Sequence, residues 1–130
     1  MKWEMKPPVK GDAIRTKISF YHHYGVFIDE DTIVQFGLPD NTGRALEEID
    51  VCITDIDSFA EGRDVERAVF SLAEKRQRRH PDETAEIALS RVGEKGYDFF
   101  MNNCADFVNS CVFKDGSNLD VLEIRKAKNT

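Results

Sequence analysis

The segment of residues 21–36 constrains the fold more strongly than any other part of the chain. Aromatic and β-branched residues dominate residues 23–28 and 32–36, and an acidic turn at residues 29–31 separates the two runs. Such runs around a short polar turn are typical of an antiparallel hairpin. We therefore predict that these residues form two paired strands.

Strand patterns also occur on both sides of this hairpin. Apolar and polar residues alternate over residues 13–18 and over residues 50–56, and the strand predicted for residues 50–56 ends near Ser58. Residues 65–70 are strand-like as well. A turn-rich segment at residues 7–12 precedes the first of these strands, where we expect the fold to begin. Together these segments predict a small antiparallel sheet.

Two amphipathic helices are predicted in the second half of the chain. The first covers residues 81–92, because Pro81 suits a first helical turn and Gly93 suits a helix end. The second begins after Asn102-Asn103 and ends near residues 114–116. Its expected apolar face consists of Cys104, Phe107, Val108, Cys111 and Val112. We expect the basic stretch of residues 75–80, which precedes the first helix, to be a solvated loop.

Length and charge limit the architecture and the partners. A chain of 130 residues has room for one core, so we predict one domain over residues 9–116 and a frayed tail over residues 117–130. The formal net charge of -6 gives no general attraction to polyphosphate, which argues against nucleic acid as a partner. The oligomeric state stays open.

The sequence also bears on the cellular compartment. Apolar runs all stay short of the roughly 18 residues that a membrane span needs, so we expect no stable membrane insertion. The first ten residues lack the apolar stretch of an export signal. An odd number of cysteines, three, cannot pair completely, so free thiols in a reducing compartment are expected. We therefore predict a cytoplasmic location.

Cys104 is the first candidate for a chemical role. A cysteine at the start of a helix lies where unpaired N–H groups and the helix dipole favour the thiolate, which predicts a lowered pKa. The same N–H groups could hold the oxyanion that forms when a thiolate attacks a carbonyl. The alternative is that Cys104 only opens the buried face of its helix, since it lies seven residues before Cys111.

A thiol nucleophile needs a base, and His23 is the candidate. Alternation places His23 and Gly25 on one face of their strand, and it places the adjacent His22 on the other. Gln35, on the second strand of the hairpin, could hydrogen-bond the second imidazole nitrogen and hold the useful tautomer. The alternative is that His23 is a structural strand residue and Gln35 faces solvent.

Four short sequences occur in one order along the chain. They are K-G-D-A-I-R at residues 10–15, Y-H-H-Y-G-V-F-I at 21–28, R-V-G-E-K-G-Y at 91–97 and N-N-C-A-D-F-V at 102–108. Together they resemble the lecithin:retinol acyltransferase-like branch of the NlpC-type thiol hydrolases, over about residues 9–113. Each is weakly specific alone, but four in order are fairly specific.

The resemblance implies a circularly permuted papain-like α+β fold. In that fold a small antiparallel sheet or barrel packs against helices, and the nucleophile lies at a helix N-terminus. The resemblance also implies that Cys104 is the nucleophile and His23 the base, and that an ester or amide carbonyl forms a thioester with Cys104. Neither a cofactor nor a metal is part of this expectation.

The chain departs from the family pattern in three places. The third residue of the catalytic site is commonly histidine in this branch, whereas this chain has Gln35 at the matching position. We therefore expect Gln35 to be the least costly of the three site residues to replace. His22 stays a rival candidate for the base. After the cysteine the family often reads E-H, where this chain has Ala105 and Asp106, two positions expected to shape the substrate site. The chain given also ends without a membrane-anchoring helix, so lipid specificity is not carried over.

Several functions fit this pattern. The first is a thiol acyltransferase or hydrolase that acts on a small-molecule acyl compound, a lipid included, or on a peptide. The second is a peptidase or amidase of the same superfamily, and the third is a binding module that keeps the fold without turnover. A metal site built from His22, His23, His80 and a cysteine is a remote fourth, because these residues lack zinc-like spacing.

Overall fold

Six strands form one antiparallel sheet in the computed structural model of the protein, which describes residues 2–98 and 103–114. Their bounds are β1 (Lys2–Glu4), β2 (Asp12–Ile18), β3 (Tyr21–Asp29), β4 (Thr32–Phe36), β5 (Val51–Thr54) and β6 (Val65–Val69). The order across the sheet is β1-β6-β2-β3-β4-β5. Because β1 and β5 both lie at edges, the sheet is open.

The register of the central strands brings four residues to one face of the sheet. Thr16 of β2 lies opposite His23 of β3, and Gly25 of β3 lies opposite Gln35 of β4. Residues directly opposite each other project to the same face, as do residues two apart on one strand. Thr16, His23, Gly25 and Gln35 therefore share a face.

Four α-helices and one short 3-10 turn, Leu46–Glu48, occur in the described part of the chain. The helices are α1 (Ile56–Ala60), α2 (Leu72–Gln77), α3 (Pro81–Ser90) and α4 (Cys104–Val112). Local sequence sets where they begin: Pro81 occupies the first turn of α3. At α4 the Asn103 side chain accepts the N–H of Asp106, while the Asp106 carboxylate accepts the N–H of Asn103.

One face of the sheet, which we call the helix face, carries the larger apolar cluster. Helices α3 and α4 pack against β3 there. The buried cluster consists of Ala13, Tyr24, Val26, Val34, Phe36, Ile49, Val51, Ala68, Ala88, Ala105, Phe107, Val108, Cys111, Val112 and Phe113. Its size indicates that most of the apolar stabilisation of the fold comes from this face.

The opposite face, which we call the histidine face, has a smaller cluster. It consists of Ile14, Phe27, Ile33 and Phe59, and Phe59 comes from the short helix α1. Thr16, His23 and Gln35 are buried on the same face. These buried polar groups therefore lie on the face with the smaller apolar cluster.

The predicted hairpin, the strand at residues 65–70 and both predicted helices are confirmed, as is the α+β class. The circular permutation stays a prediction. Of the two expected forms, a small antiparallel sheet or a barrel, the structure shows an open sheet. Ordered structure also begins earlier than predicted, because β1 pairs with β6.

Two local predictions differ from the structure because of helix caps. The strand predicted over residues 50–56 ends at Thr54, since the Asp55 side chain accepts the N–H of Ser58 and starts α1. The basic stretch predicted as a loop lies partly in α2, which a capping box between Ser71 and Glu74 begins. Its Arg78 donates to the Gly11 carbonyl oxygen at 2.8 Å, so this side chain fastens the segment to the fold.

The proposed boundary between domain and tail stays a prediction, and residues 115–130 lie outside the described residues. Over residues 2–98 and 103–114, none of the helices combines the length and the apolar character needed to cross a bilayer.

Candidate active site

Cys104 is the first residue of α4, and its sulfur is surrounded by backbone donors. The capping box between Asn103 and Asp106 occupies the N–H of Asp106. The N–H groups of Cys104 and Ala105 hydrogen-bond the Cys104 sulfur, and the N–H of Tyr24 in β3 is a third donor. Three N–H groups from two different elements thus converge on one sulfur.

The donor from β3 fixes where this sulfur lies relative to the sheet. Backbone N–H groups of a strand point along the plane of the sheet rather than to either face. The pairing of β3 with β4 begins at Gly25 opposite Gln35, one residue beyond Tyr24. The Cys104 sulfur therefore lies close to the backbone of Tyr24, the residue that follows His23.

His23 is buried on the histidine face and is held by Gln35. The Nε2 atom of His23 lies 2.8 Å from Oε1 of Gln35, and both side chains are almost completely buried. An amide oxygen only accepts hydrogen bonds, so Nε2 of His23 carries the hydrogen and Nδ1 is left as an acceptor. The hydrogen bond expected from the sequence is present, while the catalytic roles of both residues stay predictions.

Phe59 covers this pair and explains the glycine at position 25. Its ring centroid lies 5.1 Å from that of His23. A Cβ at Gly25 would lie 3.0 Å from both Phe59 and Ile33. Gly25 does leave space beside His23, as the sequence suggests, and the Phe59 ring takes that space.

Burial keeps both candidate catalytic groups neutral. It lowers the pKa of His23 to about 4, an effect that the hydrogen bond His23 donates to Gln35 opposes and the charge of Arg63 reinforces. Burial also raises the pKa of Cys104 to about 11, although the three backbone N–H groups act in the opposite direction. The predicted lowering of the Cys104 pKa is therefore wrong, because desolvation of the sulfur outweighs the helix N-terminus.

Two tyrosines lie near Cys104. Burial raises the pKa of Tyr97, and a Cys104 thiolate would raise it further. The pKa of Tyr21 is raised by burial first, and then by the charges of Asp40 and Cys104. The Tyr21 hydroxyl donates to the carbonyl oxygen of Pro39 at 3.3 Å. Tyr97 also packs edge-on against a core phenylalanine, so it belongs to both the core and the surroundings of Cys104. Phe99 and Phe100, the other candidates for an acyl groove, lie outside the described residues.

Residues 6–117 match the family model described as lecithin retinol acyltransferase. The matched segment contains Cys104, His23 and Gln35.

The chain belongs to this family.

Membership in the lecithin retinol acyltransferase family indicates an enzyme of the acyltransferase or thiol hydrolase type. All four short sequences that carry the resemblance lie inside the matched segment. A search of curated proteins found no match to the chain. The family thus gives a general class of reaction, and the roles of individual residues rest on the geometry.

Two positions where the chain departs from the family pattern have structural contacts. Ala105 is buried in the cluster of the helix face, and Asp106 completes the cap of α4. The expectation that these two positions shape the substrate site stays a prediction. Their identities are explained by packing and by the helix start.

The other histidines of this family member lie elsewhere. His22 is opposite Lys17 at the end of the β2–β3 pair and lines a cavity of about 420 Å³ together with Arg63 and Glu66. His80 caps α3, where its Nδ1 accepts the N–H of Asp82 at 3.1 Å. Within residues 2–98 and 103–114, no group of three or more His, Cys, Asp or Glu side chains is arranged to hold a metal.

Sequence reasoning missed three contributors to the site. Phe59 lies just after the strand predicted to end near Ser58, and no pattern there indicates that its ring covers His23. Arg63, whose charge acts on His23, follows a left-handed turn at Glu61 and Gly62 that gives no signal of a site. Cys52 contacts the amide of Gln35 from β5, and this contact depends on the pairing of β4 with β5, which the sequence does not specify.

Proposed function

We propose that this protein is a cysteine acyltransferase or hydrolase in which Cys104 is the nucleophile and His23 the base. The observation that carries the proposal is the position of the Cys104 sulfur, which accepts from three backbone N–H groups, one of them the N–H of Tyr24, the residue that follows His23. In this role Gln35 fixes the tautomer of His23. Family membership supports the same class of reaction.

The first half-reaction forms a thioester. Nδ1 of His23 accepts the thiol proton as the Cys104 sulfur bonds to the carbonyl carbon of an ester or amide. The carbonyl oxygen becomes an oxyanion, which the N–H groups near the start of α4 can hold. When the tetrahedral intermediate collapses, the bond to the leaving group breaks and the leaving group takes the proton from His23.

The second half-reaction releases the acyl group. Water or another acceptor gives a proton to Nδ1 of His23 while its oxygen or nitrogen attacks the thioester carbon. The carbon–sulfur bond then breaks, and the Cys104 sulfur recovers the proton. Water as the acceptor makes the enzyme a hydrolase, and any other acceptor makes it an acyltransferase.

The shifted pKa values favour general-base catalysis over a preformed ion pair. With a pKa of about 4, His23 is neutral and able to accept a proton at pH 7, while Cys104 with a pKa of about 11 is still a thiol. Proton transfer then accompanies the attack rather than preceding it. Activity should therefore persist at mildly acidic pH, where imidazoles in solution are already protonated.

The proposal extends to substrate and compartment. The substrate is a small-molecule acyl compound, a lipid among them, or a peptide, and the reaction takes place in the cytoplasm. An ester and an amide use the same residues, so the peptidase or amidase alternative differs only in its leaving group.

One observation favours a different function, a binding module without turnover. The raised pKa of Cys104 means that little thiolate exists at neutral pH, which a pure binding site would tolerate. The module and the enzyme differ in whether Cys104 forms a covalent bond with an acyl donor.

Trapping of the acyl-enzyme tests the proposal. The protein is incubated with p-nitrophenyl butyrate or with the matching p-nitroanilide, quenched in acid and digested, and each cysteine peptide is examined by mass spectrometry. Cys104→Ser removes the nucleophile. His23→Gln removes the base but can still donate to Gln35, and Cys111→Ser is the control on the same helix.

We expect a butyryl group on the Cys104 peptide of the wild type and of Cys111→Ser. Cys104→Ser should give none, and His23→Gln should acylate about a hundredfold more slowly at pH 7. Labelling of Cys104 by the ester but not by the anilide would exclude the amidase alternative. An unlabelled wild-type Cys104 at every pH from about 5 to 9 would contradict the enzyme and support the binding module.

A further inference from the structure

We infer that Cys52 is a positioning residue, which orients the amide of Gln35 and thereby selects the tautomer of His23 that can act as a base. The inference rests on the proposed function. The sulfur of Cys52 lies 3.7 Å from Nε2 of Gln35, on the side of the amide away from His23. Cys52 lies directly opposite Gln35 in the pairing of β4 with β5.

The orientation of the Gln35 amide decides which nitrogen of His23 is available. With Oε1 of Gln35 toward the ring, Nε2 of His23 must carry a hydrogen, and Nδ1 keeps its lone pair. If the amide turned over, its NH₂ group would face Nε2 of His23 and would require the opposite tautomer. Nδ1 would then carry the hydrogen and could not accept a proton from Cys104.

Cys52 presents a sulfur that is suited to accept from the amide. Its S–H is directed at the carbonyl oxygen of Gly37, 3.9 Å away, which leaves the sulfur lone pairs for the NH₂ group of Gln35. Burial raises the pKa of Cys52, so the thiol stays protonated and continues to donate to Gly37.

These contacts form a chain of hydrogen bonds with a single direction. Cys52 donates to the Gly37 carbonyl, Gln35 donates to Cys52, and His23 donates to Gln35. Gln35 is almost completely buried, so water cannot readily replace Cys52 as the partner of the amide nitrogen. Sulfur contacts are weak individually, but this one discriminates between two amide orientations that are otherwise similar in shape.

The test reads the tautomer of His23 directly. Protein labelled with ¹⁵N-histidine is examined by long-range ¹H–¹⁵N correlation NMR at pH 7, which distinguishes a protonated from an unprotonated ring nitrogen. Cys52→Ala removes the acceptor, whereas Cys52→Ser replaces it with a hydroxyl that both accepts and donates. Thr54→Val, on the same strand, is the control for a lost polar group.

We expect His23 to carry its hydrogen on Nε2 in the wild type, in Cys52→Ser and in Thr54→Val. In Cys52→Ala a measurable fraction should carry it on Nδ1, and acylation of Cys104 by p-nitrophenyl butyrate should slow about fivefold with no change in apparent KM. Rescue by serine separates positioning from general destabilisation.

An unchanged tautomer in a folded Cys52→Ala protein would overturn the inference, whatever its activity. The NMR measurement needs no acyl donor, so the two proposals fail separately. A tautomer that shifts in a protein never acylated on Cys104 would contradict the proposed function but support the positioning role. If Cys52→Ala does not fold, an unchanged tautomer in Cys52→Val would equally overturn the inference.

Discussion

The two faces of the sheet differ in what they bury. The helix face is covered by α3 and α4 and holds a large cluster that is almost entirely apolar. The histidine face is covered by the short helix α1, and beside its four apolar residues it buries Thr16, His23 and Gln35. Most of the packing that stabilises the fold therefore lies on one face of the sheet. The buried polar groups that could take part in chemistry lie on the opposite face.

Cys104 packs on the helix face and also interacts with the backbone of the central strand β3. Its helix packs on the helix face, and its sulfur accepts the backbone N–H of Tyr24, the residue that follows His23 in β3. The proposed function therefore requires a nucleophile whose helix packs on one face to reach a base that is buried on the other. The comparison predicts that substitutions on the helix face change stability most, while those on the histidine face change the state of His23.

The largest effect on stability is expected on the helix face. Phe107→Ala removes a completely buried ring and should lower the free energy of unfolding by about 3–5 kcal/mol. Phe20→Ala, at a side chain that is 85% exposed, is the matched control and should cost almost nothing. Urea denaturation measures both, and equal effects would contradict the assignment of the main core to this face.

The histidine face should make stability depend on pH through His23. Its pKa is about 4 in the folded protein and about 6.5 when unfolded, so the unfolded chain binds more protons between these values. The stability present above pH 6.5 is therefore lost as the pH falls toward 4, by about 3 kcal/mol. Urea denaturation of wild type and His23→Gln between pH 4 and 7 isolates this loss, and identical profiles would show that His23 is not buried as a neutral group.

A smaller effect is expected from filling the space that Phe59 occupies. Gly25→Ala places a methyl group 3.0 Å from the Phe59 ring and should destabilise the protein by about 1–3 kcal/mol. The same substitution in a Phe59→Leu background should cost less, because the smaller side chain can move away. A double-mutant cycle measures the coupling, and strict additivity would mean that the ring does not constrain residue 25.

The smallest effect concerns Arg63. Its positive charge helps to lower the pKa of His23, although burial is the main cause, so Arg63→Gln should raise that pKa slightly. An NMR titration of the His23 ring measures the change, with Arg76→Gln as a control because Arg76 lies on the separate helix α2. A fall in the pKa of His23 would have the wrong sign and would contradict the placement of Arg63.

Local patterns in the sequence predicted much of the fold. Alternation over β3 correctly placed His23 and Gly25 on one face, because strand periodicity is a property of the backbone itself. The predicted hairpin also gave the reach from Gln35 to His23 that the structure shows. The capping box of Ser71 and Glu74 was also a readable signal, and the basic residues after it obscured the helix that it begins.

The parts of the site that the sequence did not predict depend on contacts between distant segments. Phe59 reaches His23 only because α1 folds over the histidine face. The pKa of Cys104 follows from how tightly its sulfur is packed, so the helix N-terminus alone gave the wrong direction. Propensity and spacing describe single elements, whereas desolvation is a property of their assembly.

The most direct test of the central claim is the rate of Cys104 acylation as a function of pH, in the wild type and in His23→Gln. If neutral His23 takes the thiol proton, the wild-type rate should be nearly constant from about pH 5 to 9, since His23 is deprotonated above about 4. Without the base only the thiolate reacts, so the His23→Gln rate should rise about tenfold per pH unit below the thiol pKa of about 11. Two parallel rising profiles would show that His23 does not serve as the base for Cys104.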